Sequence, residues 1–291
     1  MKPFKIIALA KQVPDTRNVG KDAMKEDGTV NRSVLPAIFN PEDLHALEQA
    51  LLIRDKFPGS TVTILTMGPV RASEILREGL FRGADEGILL TDRAFAGSDT
   101  LATSYALACA IRKINGFDII ICGRQAIDGD TAQVGPQVAE KLNISQITYA
   151  EEILAIDKKT IRVKRRLERG IETVEGPLPI LITVTGTAPR CRPRNSRQMM
   201  KFKHSKSASE RSEKDEEYLN LINDRPYLNI TEWNVNDIEC DRSLLGLGGS
   251  PTKVKKVDSI SFQTKETKTM NDKDEDINSL MKELIVNHTI G

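Results

Sequence analysis

Over its first 123 residues the chain alternates apolar runs of strand length with longer stretches patterned as helices, and few architectures accept that rhythm. Residues 4–10 are apolar except for Lys5, as expected of a parallel strand covered on both faces. After a polar stretch comes Asn40-Pro41-Glu42-Asp43. This is an N-cap residue, a proline suited to the first helical position and two acids suited to the positive helix end. Leu44, Leu47 and Leu51 then recur at helical spacing, and Pro58-Gly59 ends the segment. The same reading gives a strand at 62–67, a helix at 72–82, a strand at 88–90, a helix at 99–114 and a strand at 118–122. Strands separated by helices predict an α/β fold, a parallel sheet flanked by helices, with ligand sites at the carboxyl ends of the strands.

The rhythm changes between residues 147 and 184. Strand-like pieces at 160–167, 171–174 and 180–184, with Gly170 as a turn, predict a hairpin that completes the sheet. Beyond Pro189 the composition turns polar, and 204–217 has too few apolar residues to bury. A mobile insertion is expected there. The rest, with Trp233 and the turn-like Gly246-Leu247-Gly248-Gly249-Ser250-Pro251, lacks the pattern for a core of its own and reads as an arm seeking a partner surface. The expected organisation is an α/β domain at 1–188, a loop and helix at 189–203, a polar insertion at 204–224 and a C-terminal extension at 225–291.

Composition narrows the function classes. Lys+Arg number 42 and Asp+Glu 41, so no global field draws the molecule onto nucleic acid or an anionic membrane. No run approaches the roughly 20 apolar residues of a membrane-spanning helix, and the first ten residues lack a signal-peptide pattern. The four cysteines, Cys109, Cys122, Cys191 and Cys240, have no C-x-x-C spacing and suggest neither zinc nor an iron–sulfur cluster. These features lead to the expectation of a cytoplasmic protein with reduced thiols, without membrane insertion or a metal site.

The segment that carries most chemistry runs from a strand end into a helix start: Cys122-Gly123-Arg124-Gln125-Ala126-Ile127-Asp128-Gly129-Asp130-Thr131-Ala132-Gln133-Val134-Gly135-Pro136. A glycine-bearing turn lets backbone N–H groups approach an anion, Thr131 offers a hydroxyl, and the following helix adds its positive end. A pyrophosphate fits that description. So does a plain connection that uses Gly129 for its turn and Asp130 or Thr131 for capping.

This segment resembles the beta subunits of electron-transfer flavoproteins. A second stretch, Val163-Lys164-Arg165, Glu168, Gly170, Glu172, Val174, Pro179 and Leu181-Ile182-Thr183, is similar to the signature of that family. It departs at Arg169, where the pattern has Gly, Asp or Glu. Lys11-Gln12-Val13-Pro14-Asp15 and Ser250-Pro251-Thr252-Lys253-Val254 extend the resemblance over most of the chain. It implies an adenine-nucleotide-binding, Rossmann-like domain. Carried over residue by residue, it implies nucleotide contacts at Leu9, Asn40, Pro41, Glu42, Asp43, Met67 and throughout the loop from Arg124 and Gln125 to Gly135. Asn40 is equally an N-cap and Met67 equally a core residue.

Within the family some beta subunits hold AMP and those of electron-bifurcating complexes hold FAD. The run from Asp128 to Pro136 resembles the bifurcating form, and so does Gly97-Ser98-Asp99-Thr100-Leu101-Ala102-Thr103. There Asp99, Thr100 and Thr103 could face the cofactor or cap a helix. The resemblance implies NADH as an exchangeable electron donor or acceptor, with electrons divided between the FAD of an alpha subunit and ferredoxin, or the reverse. It also implies a flavin-dependent dehydrogenase as partner, of the acyl-CoA dehydrogenase or lactate dehydrogenase type. The family places its recognition loop for that partner at 189–200, where Met199 and Met200 are adaptable anchors and four arginines suit an acidic surface. Arginine alone also fits RNA, but no interleaved aromatics support it. Residues 276–286, with Ile277, Leu280, Met281 and Leu284, offer an amphipathic face for the alpha subunit or for the chain's own domain. A free-standing nucleotide sensor or hydrolase is the reading from another class, and the hydrolase is weakened by the lack of a G-x-x-x-x-G-K-[ST] motif.

Overall fold

The computed structural model of the chain describes residues 2–15, 36–211, 221–252, 267, 269–287 and 289–290. In chain order the strands are β1 (Lys5–Leu9), β2 (Gln12–Pro14), β3 (Ala37–Phe39), β4 (Thr61–Met67), β5 (Glu86–Leu90), β6 (Ile119–Gly123), β7 (Ser145–Ile156), β8 (Thr160–Leu167), β9 (Gly170–Pro177), β10 (Ile180–Val184) and β11 (Thr231–Trp233). The helices are α1 (Pro41–Lys56), α2 (Ser73–Arg82), α3 (Thr100–Ile114), α4 (Val134–Leu142), α5 (Ser196–Phe202) and α6 (Asp274–Val286).

Nine strands form one sheet in the order β11-β5-β4-β1-β6-β10-β7-β8-β9. Pairing is parallel from β11 to β7, and antiparallel from β7 through β8 to β9. The apolar runs are strands buried on both faces, as their lack of alternation predicts. Ile6 and Ala8 point into a core shared with α1 and α2, whereas Ile7 and Leu9 point into a second core under α3 and α4. The two-residue period of a strand thus feeds two cores from one segment.

In the polar half of the chain, part of the expected insertion and part of the expected arm pack on the domain. Residues 204–211 make specific contacts. Lys206 bridges to Asn229, and the Glu210 carboxylate accepts from both terminal nitrogens of Arg77 at 2.9 Å and from Ser73 Oγ at 2.6 Å. Ser205 and Ser207 are buried. Composition hides this because a half-buried ion pair, not apolar area, anchors the segment. The remainder of that stretch, 212–220, lies outside the described residues.

The region after 225 likewise packs on its own domain as far as Thr252, where it was expected to reach for a partner. β11 pairs with β5 through the register Thr231 to Ile88 and Trp233 to Leu90. Ile230 is buried in the core under α1 and α2, Val235, Ile238 and Leu245 in the core under α3 and α4, and Leu228 is buried as well. Of the apolar residues expected to form a face on α6, Ile277, Leu280 and Met281 are exposed and Leu284 is half-buried.

The expected hairpin is part of a larger feature. β7 runs twelve residues, and β8 turns into β9 through Glu168 and Arg169, with Leu167 opposite Gly170. The basic residue at 169 therefore occupies an exposed two-residue turn, while neighbouring Arg165 pairs with Glu172 at 3.0 Å. Among the described residues, no helix is long and apolar enough to cross a membrane.

Candidate functional site

The chain leaves β1 for β4 and β5 on one side and returns to β6 on the other, so the switch point of the sheet lies between β1 and β6. A crevice opens outside the carboxyl ends of the strands at such a point. Here it is bounded by Lys11 after β1 and by the loop 124–133 after β6.

The first turn of α1 ties these two walls together. Asp43 accepts the Lys11 N–H at 2.9 Å through Oδ2 and the Gly123 N–H at 2.8 Å through Oδ1. Burial pushes its carboxyl up to about 7, even though the two backbone N–H bonds and Asn40 pull it down. Asn40, fully buried, donates through Nδ2 to the Gln125 carbonyl at 2.9 Å and accepts from the Ile127 N–H at 3.3 Å. Its side chain makes no cap hydrogen bond on α1, so the N-cap expectation gives way to a tertiary one. Glu42 accepts from the Gln125 N–H at 2.9 Å and from Arg124 at 3.2 Å. Close approach of α1 requires glycine at 123, where a Cβ would stand 2.6 Å from Asp43 Oδ1 and 2.7 Å from the Glu42 carbonyl carbon. Pro41 opens the helix at its first turn.

The loop itself closes on a turn and leaves polar groups free. Ala126 accepts the Gly129 and Asp130 N–H groups at 3.3 and 3.0 Å, which closes a turn. Gln125 Nε2 reaches Asp130 Oδ1 at 2.9 Å. Asp130 and Ala132 hold φ of 49° and 52°, a region that side-chain-bearing residues enter at a cost and that concentrates at functional sites. Among the described residues, the N–H groups of Thr131, Ala132 and Gln133 have no hydrogen-bond partner. A Cβ on Gly129 would meet nothing within 4 Å. Gly135 is the opposite case. A Cβ there would come within 2.9 Å of Cys122 Sγ and Thr183 Cγ2, so glycine lets α4 press onto β6 and β10. Val134 begins α4, whose positive end faces the loop.

Other residues singled out in the sequence fall into place around this loop. Leu9 is buried and packs in the core under α3 and α4, and Met67 packs against that core from the end of β4. Both thus serve as core, whatever their backbones face. Thr100 Oγ1 bonds Gln133 Oε1 at 2.8 Å and draws the start of α3 to the loop. Asp99 is a true N-cap, accepting from Ala102 N–H at 3.0 Å and from Thr252 N–H at 3.0 Å. Against desolvation, these bonds hold its carboxyl below the usual range. Its oxygens bond α3 and the segment beyond Ser250. Thr103 lies half-buried in the first turn of α3.

Two residues that were not among the expected contacts join the site. Lys11 Nζ spans the crevice to both oxygens of Asp128 at 2.8 Å. Tyr149 holds φ of 59° at an irregularity of β7 and lays its ring 5.8 Å from the Arg124 guanidinium. In the sequence Lys11 stood only as the first residue of the Lys11-Gln12-Val13-Pro14-Asp15 match, with no site role attached; Tyr149 carried no signal.

On the expected recognition loop, Arg192 bonds Glu48 at 2.9 Å and Asp55 at 2.6 Å, and Arg194 bonds Glu78 at 2.5 Å. Two of the four arginines are thereby committed to the chain's own domain. Met200 is 66% exposed and remains open to a partner.

An open turn beside Gly129, three unbonded N–H groups and a helix start together fit the phosphates of a nucleotide cofactor. The fold and this site define an open α/β protein with its ligand crevice at the switch point of the sheet. Comparison with known proteins gives the family. The electron transfer flavoprotein domain matches residues 27–208. An electron transfer flavoprotein subunit beta of Clostridium acetobutylicum is 42% identical over 263 residues, covering 90% of this chain and 89% of that one. The caffeyl-CoA reductase-Etf complex subunit CarD of Acetobacterium woodii is 44% identical over 253 residues, covering 86% of each. The acryloyl-CoA reductase electron transfer subunit gamma of Anaerotignum propionicum is 51% identical over 185 residues, covering 62% of this chain and 67% of that one. The chain belongs to the electron transfer flavoprotein family and is of the beta-subunit type, which implies an alpha subunit as its partner.

Proposed function

We propose that this chain holds FAD in the β1/β6 crevice and, joined to an alpha subunit, takes part in flavin-based electron bifurcation or confurcation between NAD(H), ferredoxin and a partner dehydrogenase. The observation that carries the reading is the loop 124–135, whose open side at Gly129 and unbonded N–H groups suit a pyrophosphate. Two relatives are named as parts of acyl-CoA reductase systems, which supports a partner of the acyl-CoA dehydrogenase type over the lactate dehydrogenase type. The four free thiols go with a cytoplasmic setting.

When bound, FAD supplies hydride exchange with NADH and onward transfer of single electrons. The chain's own residues hold and orient. The N–H groups of Thr131, Ala132 and Gln133 would bind phosphate oxygens, and Thr131 adds a hydroxyl. Asn40, Glu42 and Asp43 fix the loop so that little reorganisation is needed on binding. Thr100 and Gln133 brace the second wall.

The test is to co-express the chain with its alpha subunit, purify the heterodimer and quantify FAD and AMP released per dimer. Two FAD and no AMP is the expected result. One FAD with one AMP would replace the proposal with that of a conventional beta subunit that supports the alpha-subunit flavin.

A further inference from the structure

The charges around the crevice present a problem for any phosphate-bearing guest. Glu42, Asp128 and Asp130 all border it, and among the described residues the cations that reach them are Arg124, at Glu42, and Lys11, at Asp128. Arg124 is turned to Glu42 and to the Tyr149 ring. Lys11 is the one with freedom to change partner. Its main chain is pinned on both sides, with the N–H bonded to Asp43 at 2.9 Å and the carbonyl accepting from the Asn40 N–H at 3.0 Å. Its side chain is 49% exposed, against 22% for Asp128. A compact ammonium on a flexible stem can swing between acceptors without moving the backbone that carries it.

We infer that Lys11 is a phosphate-binding residue of this crevice and that Asp128 competes with the phosphate for its ammonium. Asp128 lies on the same loop as the unbonded N–H groups and accepts from Lys11 with both oxygens, as a phosphate would. Before binding, the pair keeps Lys11 at the mouth of the crevice and neutral toward solvent. On binding, the ammonium passes to the phosphate and Asp128 is released to water. The inference rests on the reading that the crevice holds an adenine nucleotide, and it is the same for FAD and for AMP.

The experiment compares heterodimers of the wild type, Lys11→Met and Asp128→Asn, dialysed against rising potassium bromide. Retained FAD and AMP are counted, with the alpha-subunit FAD as internal reference. Lys11→Met should release the crevice nucleotide about tenfold faster, the effect of one charged hydrogen bond. Asp128→Asn should retain it at least as long as the wild type, because it frees Lys11. If the two variants weaken retention alike, the pair is a structural staple and the inference is overturned. No change in either variant overturns it too. Asp128→Asn keeps Lys11 in place, so it decides the matter even if Lys11→Met folds poorly. Wild-type dimers with a single FAD and no AMP would remove the nucleotide reading itself, an outcome separate from the variants' behaviour.

Discussion

Two glycines six residues apart should respond in opposite ways to the same added methyl group. At Gly135 a Cβ would stand 2.9 Å from both Cys122 Sγ and Thr183 Cγ2, side chains of two central strands. Neither neighbour has room to retreat, since Cys122 and Thr183 are buried in the sheet. Gly135→Ala should therefore cost about 1–3 kcal/mol by overpacking. At about 2–4 °C per kcal/mol for a chain of this size, the melting temperature should fall by several degrees. Gly129→Ala meets no atom within 4 Å and should stabilise slightly, by up to about 1 kcal/mol, because alanine restricts the unfolded chain. Its cost should appear elsewhere, as nucleotide lost from the heterodimer, if that open space receives the cofactor. Thermal and urea unfolding of both variants, with nucleotide counted on the same samples, checks each half. An unchanged melting temperature for Gly135→Ala would refute the packing argument, and full retention in Gly129→Ala would refute the open-side argument.

Asn40→Ala deletes two loop bonds from a fully buried residue and should cost about 1–3 kcal/mol, with faster proteolytic nicking of the loop 124–133. Asp43 has a folded-state carboxyl raised to about 7, so between about pH 4 and 7 the folded chain binds its proton more tightly than the unfolded chain. Stability should fall as pH rises through that window, by at most about 1.4 kcal/mol per pH unit, and urea midpoints should show the slope vanish in Asp43→Asn. Glu210→Gln removes the paired charge beside Arg77 and should cost about 1–2 kcal/mol. Faster amide exchange across 205–211 would mark the release of that segment.

The central strands were legible because burial on both faces writes itself as unbroken apolarity, as in the five buried residues of β6. β11 was not. It has three residues, Thr-Glu-Trp, all half-buried, and its place is fixed by backbone pairing that side-chain pattern does not encode. The segment 204–211 was hidden for the related reason that its anchor, Glu210 to Arg77, joins residues 133 apart in sequence. At the site, the loop could be read from its glycine and its position after a strand. The job of Asn40 could not. Local rules make it an N-cap, and only the folded chain brings Gln125 and Ile127 to its amide. The Lys11 to Asp128 pair, 117 residues apart, is invisible to any local rule.

The late arrival of β11 also sets a schedule for the growing chain. β5 ends at Leu90 and its edge partner is complete only at Trp233, a gap of 143 residues (233 − 90). At about 5–20 residues per second of synthesis, the outer edge of β5 waits some 7–30 s for its neighbour. Throughout that interval a newborn sheet offers the unpaired backbone of Glu86–Leu90, an apolar edge of the sort that other chains pair with. Early occupation of that edge by a chaperone would follow from the order of the strands alone.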